Sequence, residues 1–144
     1  MFSYKYSIVI PIYNEKENIF NLLNEIFINI DNLNISFEII IINDCSNDEF
    51  MDTYRKSKFN NNNKIFIISN KNNMGQSYSI RKGIENAKYE NIITIDGDGQ
   101  NDPSDIIKLV EYYENKKYCL VGGIRSKRKD NFLKIISSRI ANYI

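Results

Sequence analysis

Two aspartates one residue apart, Asp96 and Asp98, follow directly on the apolar run NIITI, and Gln100 comes two residues later. Asp102 and Asp105 bring the carboxylates between positions 96 and 105 to four. Carboxylates this close repel, and each resists ionising beside its neighbours. Such a cluster is either screened by water on an open loop or built for a cation. An all-oxygen donor set suits a hard divalent ion, Mg²⁺ or Mn²⁺, held by one or two carboxylates plus substrate phosphates. Gly97 and Gly99 allow a sharp turn that keeps the site open. Asp, Asn and Gly also make ordinary turns, but paired aspartates at the end of a buried strand are costly without a ligand.

Other polar groups fall at comparable places. Pro11, Tyr13, Asn14 and Glu15 follow the run YSIVIPI; NDCSND, with Asp44, Ser46 and Asp48, follows EIIII; NKNNMGQS follows KIFIIS; and GGIRSKR follows YCLV. Each could be plain turn chemistry. Their common placement after apolar runs is what points to a site. In open α/β sheets, ligands bind beyond the carboxyl ends of the strands. No Gly-rich phosphate loop of the Walker or dinucleotide type is present. A metal–diphosphate site without one points to a nucleotide-sugar rather than ATP.

The totals bound the chemistry. The chain has 144 residues, 42% of them hydrophobic, and a net charge of +1. This suits one domain, 1–144, with a core, and argues against nucleic acid as partner. Histidine is absent, which excludes His-based triads, zinc sites and acid–base schemes. Cys45 and Cys119 are isolated and without metal-type spacing, so reduced thiols are expected. No stretch reaches the ~18 apolar residues of a membrane span, and no signal-peptide pattern is present. The expected location is cytoplasmic.

The elements that must position these residues alternate. Tyr6–Ile12, Glu38–Ile42, Lys64–Ser69, Asn91–Ile95 and Tyr118–Val121 are expected strands, short and β-branched. Ile19, Leu22, Leu23, Ile26 and Ile30 recur at three- and four-residue steps, which predicts a helix from Glu15. Asp48–Lys58 is expected as a short helix. Gln76–Ala87 is expected as another, packing through Ile80 and Ile84 with Tyr78 and Ala87 near that face. Ser104 resembles a cap for a helix over 106–113, with Asp105 in its first turn. Residues 132–144 form a last amphipathic pattern. Unbroken apolar strands suit a parallel sheet covered on both faces.

The ordered set VIPIYNE (9–15), IIINDCSND (40–48), NNMGQSYSIRKGIENA (72–87), DGDGQNDPSDI (96–106), GGIRSKRKD (122–130) and KIISSRIAN (134–142) resembles family 2 glycosyltransferases of the GT-A fold. The likeness is to the branch of dolichol-phosphate mannosyltransferase and bacterial polyprenyl-phosphate glycosyltransferases. It implies a Rossmann-like αβα fold with a mostly parallel sheet, and an inverting, metal-dependent transfer of a sugar from a nucleoside-diphosphate sugar. The donor would be a GDP- or UDP-sugar, and the acceptor a polyprenyl or dolichyl phosphate. By position in the family pattern, Pro11, Tyr13, Glu15, Ile42, Asp44, Ile95, Asp96 and Arg125 would bind the donor, with Asp44 toward the base. Asp96, Asp98 and Gln100 would hold Mg²⁺ or Mn²⁺. Asp98 and Arg125 would carry the catalytic charge stabilisation. Ser138, Arg139 and Asn142 would lie on a helix near the membrane face.

Three departures stand out. Asn43 replaces a frequent aspartate, Cys45 replaces a usual glycine, and the family's catalytic domain continues well beyond the matching stretches. The sequence is therefore expected to be a fragment, or a donor-binding half. A phosphate acceptor is already an anionic nucleophile and needs no general base, whereas a saccharide hydroxyl, as in cell-envelope polysaccharide synthesis, would need one. The rival from another class is a nucleotide-sugar-binding module without turnover. A receiver-type signalling domain is disfavoured because the first strand ends in PIYNE, with no aspartate. Arg125, Lys127, Arg128 and Lys129 suit donor phosphate, lipid phosphate or anionic membrane, at about 1 kcal/mol per charge on a membrane, or a solvated turn. The 132–144 pattern suits a core helix or an interfacial one. Residues 125–144 are the expected place of any peripheral membrane contact.

Overall fold

The computed structural model describes residues 5–31, 35–116 and 120–123. Within them, strands and helices alternate: β1 (Lys5–Ile12), α1 (Lys16–Ile30), β2 (Ser36–Asn43), α2 (Phe50–Lys56), β3 (Ile65–Ser69), α3 (Gln76–Glu85), β4 (Asn91–Thr94) and α4 (Asp105–Lys116). The four strands form one sheet in the order β3-β2-β1-β4, and every pairing is parallel. The fold class is the α/β arrangement expected from the alternation. Parallel pairing places the carboxyl ends of all four strands on one rim, and the polar loops on that rim.

β1 and β2 lie at the centre, and their Ile8, Val9, Ile10, Ile39, Ile40, Ile41 and Ile42 are at most 1% exposed. Burying each such side chain is worth roughly 1.5–3 kcal/mol, which is why apolar runs on both faces make these the fixed strands. Alternate residues Tyr6, Ile8, Ile10 and Ile12, with Phe37, Ile39 and Ile41, join the buried stripe of α1 and residues of α2 and α4 in one core. The α1 stripe is Ile19, Leu22, Leu23, Ile26 and Ile30, as its spacing predicts. The start of the sheet, away from the polar rim, is tied by a buried pair. Ser7 donates to Glu38 at 2.6 Å, and the Lys88 backbone N–H donates to the same carboxylate oxygen. The α3–β4 connection is thereby fixed to β1 and β2.

α3 covers the opposite face and corrects the expected packing. Its buried residues are Ser79 and Gly83, not the Ile80–Ile84 face; Ile84 is 44% exposed and Tyr78 38%. The cause is distance. A Cβ on Gly83 would lie 2.3 Å from Val9 Cγ1, so the helix meets the strand through small residues and leaves its large ones at the margin. Val9 is fully buried and β-branched, with little rotamer freedom to yield, so Gly83→Ala is expected to lose about 1–3 kcal/mol of stability by overpacking. A urea titration with an unchanged slope and a lower midpoint would record it.

Two other expectations shift. The second helix begins at Phe50 rather than Asp48, which precedes it and accepts from the backbone N–H groups of Phe50 and Lys16. At the fourth, which begins at Asp105, no side-chain cap from Ser104 is found among the described residues; Asp102 instead accepts from the Ser104 backbone N–H at 2.9 Å in the turn before the helix. Hydrogen bonding from the Ser104 side chain, and then from its backbone N–H, holds the Asp102 carboxyl below its ordinary value. Of the expected fifth strand, Leu120 and Val121 are described and are not in a strand. The expected helix over 132–144, the basic cluster with Arg125, and Ser138, Arg139 and Asn142 lie outside the described residues.

Candidate active site

The rim beyond the strands holds a cleft lined by Pro11, Ile12, Tyr13, Glu15, Asp44, Gln76, Ser79, Asp96, Gly97 and Asp98. Four segments far apart in sequence meet there because parallel strands deliver their ends to the same side. Its volume is about 220 Å³, below the roughly 300–1,000 Å³ of enclosed ligand pockets.

The loop after β1 is stitched to the loop after β2. Asn14 donates its backbone N–H to Ser46 Oγ, and its side-chain oxygen accepts from the Asn47 backbone N–H. Asp48 accepts from the Lys16 N–H at 2.7 Å and from the Phe50 N–H at 3.2 Å. One carboxylate therefore caps the starts of α1 and α2, where donors are otherwise orphaned and the helix dipole favours negative charge. Asn14, Cys45 and Glu49 have φ of 58°, 63° and 59°. The left-handed conformation of Cys45 is one that glycine adopts freely and cysteine adopts at a cost in strain. Asn43 shows how an amide serves in place of an acid: its side-chain oxygen accepts from the Ser46 N–H at 2.9 Å.

Asp44 is 3% exposed, and several donors converge on it. Oδ1 accepts from Asn70 Nδ2 at 2.7 Å and from the Met74 N–H at 2.9 Å; Oδ2 accepts from the Gly75 N–H at 2.7 Å. Burial alone would push the carboxyl up. Hydrogen bonding from Asn70, Met74, Gly75 and Ser79 outweighs it and holds the carboxyl below its ordinary value. Asp44 is therefore an anion at neutral pH and the anchor of the 70–75 loop.

The β4 rim carries the carboxylate pair. Gly97 packs so closely on β1 that a Cβ there would lie 2.6 Å from Ile12 Cγ2 and 3.1 Å from the Pro11 carbonyl oxygen. Gly99 turns the chain at φ 72°. Asp96 and Asp98 both line the cleft, half-buried. Asp98 Oδ1 accepts from the Gln100 backbone N–H at 2.9 Å, while its second oxygen meets no protein donor among the described residues. Asp96 Oδ1 accepts from Gln76 Nε2 at 2.6 Å.

Among the described residues, no group of three or more His, Cys, Asp or Glu gathers as a metal cage. Two carboxylates on an open cleft match the donor set of a Mg²⁺ or Mn²⁺ that completes its shell from water and phosphate. These residues fit such an ion as a partial site.

Of the expected site residues, Pro11, Tyr13, Glu15, Asp44, Asp96 and Asp98 come together in the cleft. Ile42 and Ile95 are buried in the sheet region with side chains outside its lining. Gln100 is exposed beside it, and Arg125 lies outside the described residues. Sequence reasoning missed Gln76 and Ser79. Gln76 lies within the polar stretch NKNNMGQS that follows the third strand, and both residues come just after Gly75, whose φ of 87° marks a turn immediately before α3.

Among the described residues, no helix is long and apolar enough to cross a membrane. A model of "Glycosyl transferase family 2" matches residues 7–143. The chain is 32% identical over 136 residues to undecaprenyl-phosphate 4-deoxy-4-formamido-L-arabinose transferase of Edwardsiella ictaluri, covering 94% of the chain and 42% of that protein. It is 34% identical over 143 residues to dodecaprenyl-phosphate galacturonate synthase of Rhizobium johnstonii, covering 99% and 42%. The chain thus spans about two-fifths of these relatives. In fold it is similar to S. aureus TarS in complex with UDP-GlcNAc, with a TM-score of 0.63, 20% identity, and 88% of this chain and 38% of that one covered. It is also similar to the mannosyltransferase PcManGT of Pyrobaculum calidifontis in complex with GDP-Man and Mn²⁺, with a TM-score of 0.59, 17% identity, and 68% and 28% covered.

Proposed function

The chain belongs to glycosyl transferase family 2, and on that premise we propose that it is the nucleotide-sugar-binding part of an inverting transferase. The sugar would move from a nucleoside-diphosphate sugar to a polyprenyl phosphate. The observation that carries this reading is the cleft itself, where Asp96 and Asp98 stand on the same rim as Tyr13, Glu15 and Asp44. The acceptor class is supported by the relatives, whose names specify undecaprenyl and dodecaprenyl phosphate. The donor class is supported by the fold neighbours, whose complexes hold UDP-GlcNAc and GDP-Man.

In this reading Asp96 and Asp98 hold Mg²⁺ or Mn²⁺ together with the donor diphosphate, and Gln100 stands beside them as a further oxygen ligand. An ion held there would supply positive charge to offset that on the departing nucleoside diphosphate. Tyr13 and Glu15 bound the nucleoside end, and Asp44 lies toward the base. Arg125 adds positive charge at the phosphates. The acceptor phosphate oxygen attacks in line with the leaving diphosphate and inverts the sugar carbon. No base is required, so the absence of histidine costs nothing. Contact with the membrane would come through residues 125–144.

The test is transfer of labelled sugar from GDP- and UDP-hexoses to polyprenyl phosphate in vesicles with Mn²⁺. Label in the lipid fraction is the expected result. The span of about two-fifths of the relatives favours a second reading, a donor-binding module that does not turn over alone. Metal-dependent nucleotide binding with no transfer would select it.

A further inference from the structure

We propose that Gln76 is a positioning residue, which orients the Asp96 carboxylate for the metal and donor diphosphate. This rests on the donor-site reading above and deepens it.

The geometry begins at Asp44. Its carboxylate holds the N–H groups of Met74 and Gly75 at 2.9 and 2.7 Å, which fixes the chain immediately before α3 to the end of β2. Gly75 passes this point at φ 87°, and its carbonyl accepts from the Ser79 N–H at 3.1 Å. Gln76 is therefore the first residue of a helix whose start cannot slide. Asp96 is fixed independently. The Ile95 N–H bonds the Val9 carbonyl at 3.2 Å, and Gly97 lies against Ile12 and Pro11. Since β1 separates β2 from β4 in the sheet, the 2.6 Å Gln76–Asp96 hydrogen bond spans the end of β1. It links the loop anchored on Asp44 to the loop of the carboxylate pair.

The residue type is informative. A carboxylate that must receive a cation needs one orientation and an undiminished charge. A neutral amide donor supplies the first and preserves the second, whereas a lysine would compete with the ion. Partners that orient ligating carboxylates are worth about 10–100-fold in metal affinity.

The test compares wild type and Gln76→Met, a change that keeps the length of the side chain and removes the donor. Titrations of Mn²⁺ alone, and of GDP and UDP at rising Mn²⁺, read the site without turnover. Gln76 is exposed, so the melting temperature is expected to stay unchanged while the Mn²⁺ requirement rises about tenfold. In an Asp96→Asn background the same change is expected to add less than about twofold, because the effect runs through Asp96. An unchanged Mn²⁺ requirement in Gln76→Met, or a full loss added on top of Asp96→Asn, overturns the positioning role while the donor reading stands. A wild type whose nucleotide binding ignores Mn²⁺ overturns the donor reading and this role with it.

Discussion

Asp98→Ala is expected to remove the metal-dependent part of nucleoside-diphosphate binding, weakening it by about a hundredfold or more. The estimate follows from the smaller loss of about 10–100-fold that attends changes in groups merely supporting a ligand. A hundredfold corresponds to about 2.7 kcal/mol. Asp98 carries this effect because of how it is held. One oxygen takes the Gln100 N–H, the other has no protein donor among the described residues, and the side chain faces the cleft. Little of the fold depends on it, so the variant should melt as wild type does. Titration calorimetry with Mn²⁺ present and then chelated separates the two contributions. Equal nucleotide affinity for variant and wild type in Mn²⁺ would remove Asp98 from the site.

Asp44→Ala is expected to combine a loss of stability with a loss of affinity. The change removes the acceptor of the part-buried Met74 and Gly75 N–H groups and one of the two acceptors of Asn70 Nδ2, which keeps Ser79 Oγ at 3.1 Å, beside a carboxylate that is 3% exposed in wild type. Each unsatisfied buried donor costs about 1–3 kcal/mol. Water admitted by the smaller side chain offsets some of this, so about 2–4 kcal/mol is the expected net loss. Asp44→Asn is milder but still places an amide NH₂ against at least one backbone donor.

The acid dependence of stability carries the same signature. The folded carboxyl lies below its unfolded value, so the folded state binds fewer protons. Its contribution is complete above the unfolded value near 3.9 and is lost as pH falls through the lowered folded value. Wild type should lose stability on acidification through and below about pH 4, and Asp44→Asn should show a flatter profile there. Parallel profiles would mean that the Asp44 hydrogen bonds contribute nothing net.

Much of this arrangement is local in sequence. β1 and β2 follow from runs of β-branched residues that are buried on both faces, and α1 from five apolar residues on one stripe. Asp96 and Asp98 are legible because like charges at a strand end require a reason. What local patterns do not hold is contact across distance. Glu38 reads as the polar start of a strand, yet it is buried against Ser7 and the Lys88 backbone. Asp48 suggests the beginning of its own helix, yet it also caps α1, more than thirty residues earlier.

α3 defeats apolar periodicity for another reason. Its approach to Val9 is set by the smallness of Gly83 and Ser79, and hydrophobicity patterns give small residues little weight. Gln76 is invisible for the same reason as Asp48: its role exists only once β2 and β4 are brought to the same rim.

The most direct measurement is titration of the full chain with GDP and with UDP, in Mn²⁺ and in chelator. The donor-site reading predicts that one of the two nucleotides binds, and that Mn²⁺ tightens its binding at least about tenfold, or 1.4 kcal/mol. Binding of neither nucleotide, or binding that is the same with and without the ion, would contradict it.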